Sequence, residues 1–175
     1  MNKKPGRDEY AEYYSNYVDA VEGAPILDVL EAQRNEIVSL LGAVEVSREG
    51  HRYAPGKWSV KDVVAHIVDS ERMFAMRALA FARNDPAALP GFEQDDYASA
   101  SGADRRRLAD LSEEFDAVRL SNVLLFRSLE PEAWDRRGIA SGNEFSVRGL
   151  AWIIAGHAAH HAKVLDERYL SPKLT

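Results

Sequence analysis

Apolar residues recur at the spacing of an α-helix along most of the chain. Pro25 suits the first turn of a helix, and Ser59 with Asp62 forms an N-cap related to the capping box. No strand-like alternation is found, so we predict an all-α protein. Four amphipathic helices of this length are typical of a four-helix bundle. The predicted helices span residues 25–43, 60–83, 104–129 and 146–169.

The segments outside these helices also carry predictions. The opening segment, which ends at Gly23, has tyrosines at helical spacing, so we predict an arm or short helix that lies on the bundle. Residues 84–103 form a long loop containing PGFEQDDY, and loops of this length are usually functional or mobile. Residues 130–145 form a second long connection, so the order of the helices is left open. The tyrosines of the arm are Tyr10, Tyr13, Tyr14 and Tyr17, and the loop holds Asp95 and Asp96, which could reach the mouth of a site.

Composition and charge narrow the class of protein. With 175 residues, 46% apolar and 29% charged, the chain is expected to form one globular domain over 1–175. A net charge of −6 without a long basic stripe argues against nucleic acid as a partner. Neither a signal peptide nor a bilayer-spanning stretch is found, so we expect a cytoplasmic protein with no membrane partner. The absence of cysteine excludes disulfides, thiolate metal ligands and a cysteine nucleophile.

The chemistry is concentrated in a histidine pair near the C-terminus. His157 and His161 are four residues apart in GHAAHHAKVL, so they stack on one face of the last predicted helix. On a helical wheel this face is the middle of the apolar stripe that includes Ile153 and Ile154. Two polar rings at such positions are costly unless something satisfies them. Either a metal ion binds both, or they are buried neutral histidines bonded to backbone or carboxylate groups.

A third histidine could complete a metal site. His66 lies on the flank of the apolar stripe of the second helix, which can be a neighbour of the last helix in a bundle. Three protein ligands leave coordination positions open for water or substrate, as catalysis requires. His160 is predicted to lie at the rim of the site, and His51 in a solvent-exposed loop. No HExxH, phosphate loop, GxSxG or repeated Glu-x-x-His motif is present.

Two further polar residues lie near His66 on the second helix. Glu71 is on the core-facing side, where a carboxylate is unusual. We expect either an ion pair with an arginine such as Arg72 or Arg77, or a hydrogen bond from the NH of a metal-bound histidine. Ser70 is one turn from His66 and could touch bound solvent. The simplest role for the tryptophans is to anchor the core: they are Trp58 and Trp152.

Three segments resemble the DinB-like superfamily of small bacterial metalloproteins. They are YAPGKWSVKDVVAHIVDSERMFAMRALAFARND, LPGFEQDDYA and VRGLAWIIAGHAAHHAKVLDERYL, and the similarity extends from about residue 10 to 170. The resemblance implies a four-helix bundle of up-down-down-up topology that binds a divalent metal through His66, His157 and His161, with His160 not a ligand. Family members look dimeric, so a homodimer is expected. Some relatives look like metal-dependent hydrolases, and others resemble thiol S-transferases that use mycothiol or bacillithiol.

The expected function is that of a metalloenzyme acting on a small-molecule substrate. Zinc or nickel bound by three neutral imidazoles would lower the pKa of a bound water or a low-molecular-weight thiol cofactor, and so generate a nucleophile. Because the chain has no cysteine, such a thiol must come from outside. Tyrosines of the arm and of the 84–103 loop could wall the cleft. The alternatives are a non-enzymatic metal-binding stress-response module, which a fourth protein ligand such as Glu71 would favour, and a bundle without metal.

Overall fold

The computed structural model describes residues 3–22 and 25–170, and four long helices dominate them. The predicted four-helix bundle is therefore confirmed. The predicted end of the arm at Gly23 lies outside the described residues. Two short helices accompany the bundle, α1 in the N-terminal arm and α4 in the loop after α3. The helices are α1 Ser15–Asp19, α2 Ile26–Gly42, α3 Val60–Ala82, α4 Gln94–Ala100, α5 Leu108–Arg127 and α6 Val147–Val164.

Serine caps set the first residues of the two helices that carry the histidines. The Ser59 Oγ accepts a hydrogen bond from the Asp62 amide at 3.1 Å, and the Asp62 carboxylate accepts one from the Ser59 amide at 2.9 Å. This reciprocal pair is the predicted capping box of α3. At the start of α6, the Ser146 Oγ accepts a hydrogen bond from the Gly149 amide at 2.8 Å. At the start of each helix, the serine hydroxyl therefore accepts a hydrogen bond from a backbone amide that has no partner within the helix.

Two predicted helices differ from the structure at their ends. Residues 104–107 do not belong to α5, because Gly102 has a positive φ of 66° and Arg106 is extended. A short 3-10 turn, Ala103–Arg105, takes their place. Beyond α6, the segment Leu165–Leu170 continues with π-helical hydrogen bonding. No helix among the described residues is both long enough and apolar enough to cross a membrane.

The expectation of a chain without strands was wrong. Residues 137–146 form a β-hairpin in which β1, Arg137–Ala140, pairs antiparallel with β2, Asn143–Ser146. Its turn consists of Ser141 and Gly142, which have positive φ angles of 50° and 74° as in the tight turns that favour hairpins. Each strand has only four residues, so no alternating pattern emerges from the sequence. The other part of the second connection is a 3-10 helix, Pro131–Asp135, that carries the buried Trp134.

A buried ion pair connects three helices of the bundle. Glu71 and Arg119 are 2% and 0% exposed, and the Arg119 Nε donates to the Glu71 carboxylate at 3.0 Å. Asn122 also donates to this carboxylate, at 2.7 Å, and Arg119 Nη1 donates to Gln33 on α2 at 3.0 Å. Arg72 and Arg77 were the arginines expected to pair with Glu71. This expectation was wrong, because the core-facing side of α5 supplies Arg119. An ion pair is therefore the role of Glu71, and no hydrogen bond from a histidine is involved.

Candidate metal centre

The structure brings the three predicted histidines together between α3 and α6. His66 comes from α3, whereas His157 and His161 come from successive turns of α6. Their candidate ligand nitrogens all lie within 4.8 Å of one another. The Nε2 atoms of His66 and His157 are 3.0 Å apart, and the ring centres of His157 and His161 are 4.5 Å apart. This geometry could hold one metal ion.

Burial keeps these imidazoles neutral. It lowers the pKa of His66 to about 4 and that of His161 to about 3. The pKa of His157 is also well below its ordinary value, first because of burial and then because the neighbouring histidines would repel a second positive charge. At pH 7 each ring therefore has an unprotonated nitrogen, which is the form that binds a metal.

The donor set fits a divalent transition metal. Within residues 3–22 and 25–170, the three side chains make no hydrogen bond to a carboxylate or a backbone carbonyl, and the contact between His66 and His157 is their only one. Two ring nitrogens therefore face each other in a buried site without any acid to satisfy them. Buried histidines bonded to backbone or carboxylate, the alternative from sequence, are not what the structure contains. Three convergent neutral imidazoles suit zinc, nickel, copper or iron.

The histidines lie between two cavities. The first, of about 320 Å³, is lined by His66 and His157 and by residues of the N-terminal arm, and we call it the arm cavity. The second, of about 440 Å³, is lined by His160 and His161 and by Tyr169, and we call it the C-terminal cavity. The two cavities share no lining residue. Molecules could therefore approach the histidine cluster from two sides.

The N-terminal arm supplies an aromatic wall, as its tyrosines predicted. Tyr13, Tyr14 and Tyr17 line the arm cavity. The ring of Tyr17 lies edge-on to His157 at 5.4 Å. Burial raises the pKa of Tyr14 and of Tyr17, so both hydroxyls remain protonated at neutral pH.

The 84–103 loop reaches both cavities, but not through its tyrosine. Phe92 and Glu93 line the arm cavity and Asp95 lines the C-terminal cavity, whereas Tyr97 packs on Phe92 at 5.0 Å and lines neither. Asp96 also lines neither cavity. Of the two aspartates expected to reach the site, Asp95 does and Asp96 does not, and the loop also brings Glu93 to the arm cavity.

The remaining candidates divide between the site and the core. Ser70 lines the arm cavity, and exposed His160 lies at the rim of the cluster, with its ring 5.0 Å from that of His161. Trp152 is a buried core residue, as expected. Trp58 is only partly buried: its ring is 4.8 Å from that of His66, and it lines the C-terminal cavity. His51 is exposed, as predicted.

Sequence reasoning missed the role of Arg77. The sequence predicts for it only a pairing with Glu71, yet Arg77 is 1% exposed and lines the arm cavity beside the histidines. A signal existed, because Arg77 is placed between Phe74 and Phe81 on the apolar stripe of α3. A charged residue at a stripe position indicates either a buried partner or a ligand.

Gly156 allows the arm to pack directly against α6. A Cβ atom at this position would lie 2.0 Å from the Tyr17 carbonyl oxygen and 2.9 Å from its Cα. Gly156→Ala should therefore displace the arm, lower the free energy of unfolding by about 1–3 kcal/mol and speed proteolysis within α1. Gly42→Ala is the matched control, since nothing lies within 4 Å of its added methyl group. Equal proteolysis of the two variants would show that the arm does not depend on this close contact.

The low pKa values of the histidines predict acid sensitivity of the metal-free protein. His66 and His161 titrate at about 4 and about 3 when folded, against an ordinary value of 6.5. Below pH 6.5 the unfolded chain binds protons that the folded chain does not, so stability falls as the pH falls towards 4. Each such histidine contributes at most about 1.4 kcal/mol per pH unit. Urea unfolding at pH 7, 6 and 5 should give a shallower slope for His161→Gln than for wild type, and equal slopes in the two proteins would contradict this prediction.

The chain is similar in sequence to one protein family and in fold to several solved structures. A family model described as DinB superfamily matches residues 29–165. No curated protein matches the chain. YfiT from Bacillus subtilis, described as a probable metal-dependent hydrolase with an unusual four-helix bundle topology, has a similar fold. Its TM-score is 0.75 at 15% identity, over 95% of this chain and 91% of YfiT.

Two further solved structures share the fold. The mycothiol-dependent maleylpyruvate isomerase has a TM-score of 0.68 at 12% identity, over 85% of this chain and 62% of that protein. The DinB-like protein YjoA from Bacillus subtilis has a TM-score of 0.57 at 19% identity, over 87% of this chain and 96% of YjoA. At these identities the likeness extends to the fold alone.

Proposed function

The chain belongs to the DinB superfamily, and from that premise we propose that His66, His157 and His161 bind one divalent metal ion for catalysis. The observation that supports this most strongly is the convergence of their ligand nitrogens within 4.8 Å at the junction of two cavities. All three rings are neutral at pH 7, so no proton must leave before a metal binds. Zinc and nickel are the metals we expect, because imidazole suits both.

The ligand count favours an enzyme over a structural metal site. Structural zinc usually has four protein ligands, whereas catalytic zinc has three and an open position. In the part of the chain that the structure describes, the cluster contains three candidate ligands. Glu71, the expected fourth ligand of the non-enzymatic alternative, is bound by Arg119 and Asn122. An ion in such a site lowers the pKa of a bound water or thiol, which supplies a nucleophile at neutral pH.

The two cavities favour group transfer between two molecules. A transferase must bring a thiol and an acceptor together at one centre, and two cavities give room for both, whereas a hydrolase needs only water beside its substrate. His66 and His157 border the arm cavity, and His161 borders the C-terminal cavity. We therefore favour a thiol S-transferase that uses an external low-molecular-weight thiol, with a hydrolase as the second version. The similar fold of a mycothiol-dependent enzyme agrees with the first version, and that of YfiT with the second.

Cobalt substitution distinguishes these versions. Protein loaded with Co²⁺ should develop a sulfur-to-cobalt charge-transfer band in the near ultraviolet when mycothiol, bacillithiol or 2-mercaptoethanol is added. Ethanol, which has a hydroxyl in place of the thiol of 2-mercaptoethanol and lacks the other hydroxyl, is a control that should produce no such band. Loss of the band in His157→Ala would assign it to the histidine cluster. If no thiol changes the spectrum of fully loaded protein, the transferase version is removed and the hydrolase version remains.

We also propose the up-down-down-up order for α2, α3, α5 and α6. Tyr169, beyond the end of α6, donates to the Trp58 carbonyl before α3 at 2.9 Å, which supports opposite directions for these helices. Lys61, near the start of α3, donates to the Arg106 carbonyl just before α5 at 3.1 Å. Because the Glu71 contacts to α5 lie farther along both helices, α3 and α5 run the same way. Opposite directions of α2 and α5 are supported by the ion pairs Glu31–Arg127 and Arg34–Asp116.

A further inference from the structure

Arg77 is a buried cation without a buried anion. Its side chain is 1% exposed, and it forms no ion pair with any carboxylate in the described ranges. Arg72, on the same helix, and Arg119, on α5, each pair with a glutamate. Burial lowers the pKa of its guanidinium, which is the direction expected when no acid compensates the charge. Even so, arginine stays charged in proteins. A permanent positive charge therefore lies beside the histidine cluster.

Hydrogen bonds hold the Arg77 guanidinium in place, but they do not use all of its N–H groups. Arg77 Nη2 donates to the Pro90 carbonyl at 2.9 Å and to the Ser141 Oγ at 3.1 Å. Its Nε is buried and has no hydrogen-bond partner among the residues that the structure describes. An unmade hydrogen bond to a buried charged group is costly, so the arrangement is incomplete as it stands. The contacts to the loop and to the hairpin turn orient the fork and leave Nε available.

The surroundings of Arg77 suit a flat or apolar molecule. The guanidinium carbon lies 5.9 Å from the ring centres of both Phe74 and Phe92. Tyr14 packs edge-on to Phe74 at 5.7 Å and lines the same cavity. Aromatic walls around one charged group are typical of small-molecule sites, where the apolar body provides area and the polar group provides orientation.

We infer that the arm cavity binds a carboxylate-bearing substrate, with the carboxylate on Arg77 and its apolar body between the aromatic rings. This inference rests on the proposed function, because His66 and His157 line the same cavity and would face the bound molecule. Among the described lining residues, Arg77 is the only permanent cation and Glu93 the only acid. A single guanidinium matches the charge of one carboxylate, and its unpartnered Nε–H can donate a charge-assisted hydrogen bond to it. A phosphate would call for more cationic groups than this cavity offers.

Arg77 could also act purely as a strut that joins α3 to the 84–103 loop and the hairpin. A strut needs only the bonds to Pro90 and Ser141, and it would not make the cavity prefer an anion. Anion preference is therefore the property that separates the two roles. Glu93 provides a second test of anion preference, since its exposed carboxylate borders the cavity and would repel a bound carboxylate.

The test measures binding of benzoate and of its neutral analogue benzamide to chelator-treated, metal-free protein by isothermal titration calorimetry. Wild type should bind benzoate at least about tenfold more tightly than benzamide. Arg77→Lys, which keeps the charge and removes the Nε–H donor, should weaken benzoate binding about tenfold and leave benzamide unchanged. Glu93→Gln should strengthen benzoate binding. Arg72→Lys, on the exposed side of α3, is the matched control and should behave as wild type.

The outcomes separate this inference from the proposed metal site. Equal affinity for benzoate and benzamide, or unchanged benzoate affinity in folded Arg77→Lys, would overturn it. So would tighter binding of inorganic phosphate than of benzoate. If Arg77→Lys does not fold, Glu93→Gln decides, and unchanged benzoate affinity in that variant counts against the inference. Benzoate binding that requires Zn²⁺ and ignores Arg77 would overturn the carboxylate site and leave the metal site standing. Arg77-dependent benzoate binding in protein that never takes up metal would overturn the metal site and leave the carboxylate site standing.

Discussion

Replacing His157 by alanine should lower the affinity of the protein for Zn²⁺ by more than about a hundredfold. Changes to groups that merely support a metal ligand already cost about 10–100-fold, so loss of a ligand should exceed that range. His157 is buried, and its Nε2 faces that of His66 at 3.0 Å. Its removal leaves two nitrogens on different helices. Competition with a chromophoric chelator at pH 7 measures the change.

The neighbouring histidine provides the control for this prediction. His160 is exposed and lies beside His161, so His160→Ala changes the local histidine content without removing one of the three convergent nitrogens. Its Zn²⁺ affinity should stay within a few-fold of wild type. Circular dichroism must show that both variants keep their helices. A His160→Ala loss as large as that of His157→Ala would mean that the ligand set is wrong.

Replacing Glu71 by alanine should lower the free energy of unfolding by about 3–5 kcal/mol. The change leaves Arg119, which is 0% exposed, without the one carboxylate that contacts it in residues 3–22 and 25–170. A buried charge deprived of its partner is far more costly than a lost surface pair. Asn122 loses its acceptor as well. Urea unfolding followed by circular dichroism measures the effect.

A double variant tests the reason given for this loss. Glu71→Leu combined with Arg119→Met removes both charges and keeps much of the buried volume, so it should recover most of the stability. Asp110→Ala removes an acid that pairs with Arg107 on the surface and should change stability little. If the double variant were as unstable as Glu71→Ala, the cause would be lost packing and the unpaired Asn122 amide rather than an unpaired charge.

Local periodicity was sufficient to predict the helices and the histidine pair. His157 and His161 lie on one turn-to-turn face of α6, so their proximity follows from helix geometry alone. His66 required a further assumption, that the second and last helices are neighbours, and the structure brings it to His157. Whether these residues bind a metal remains a prediction that chemistry must test.

Contacts between distant segments could not be predicted in the same way. Arg77 meets Ser141 across 64 residues, and this contact depends on a hairpin whose strands are too short to produce a pattern. The partner of Glu71 was missed for a related reason. Several arginines were available, and the choice of Arg119 depends on how α5 is rotated against α3. Helix rotation depends on packing across the whole core, which sequence spacing does not specify.

X-ray absorption spectroscopy of zinc-loaded protein tests the metal centre most directly. We predict one zinc ion per chain with three imidazole nitrogens at about 2.0–2.1 Å and at least one light ligand from solvent. The imidazole signal should fall to two rings in any zinc retained by His157→Ala. A zinc ion with four protein ligands, or a fully folded protein that takes up no metal after reloading, would contradict a catalytic site built on His66, His157 and His161.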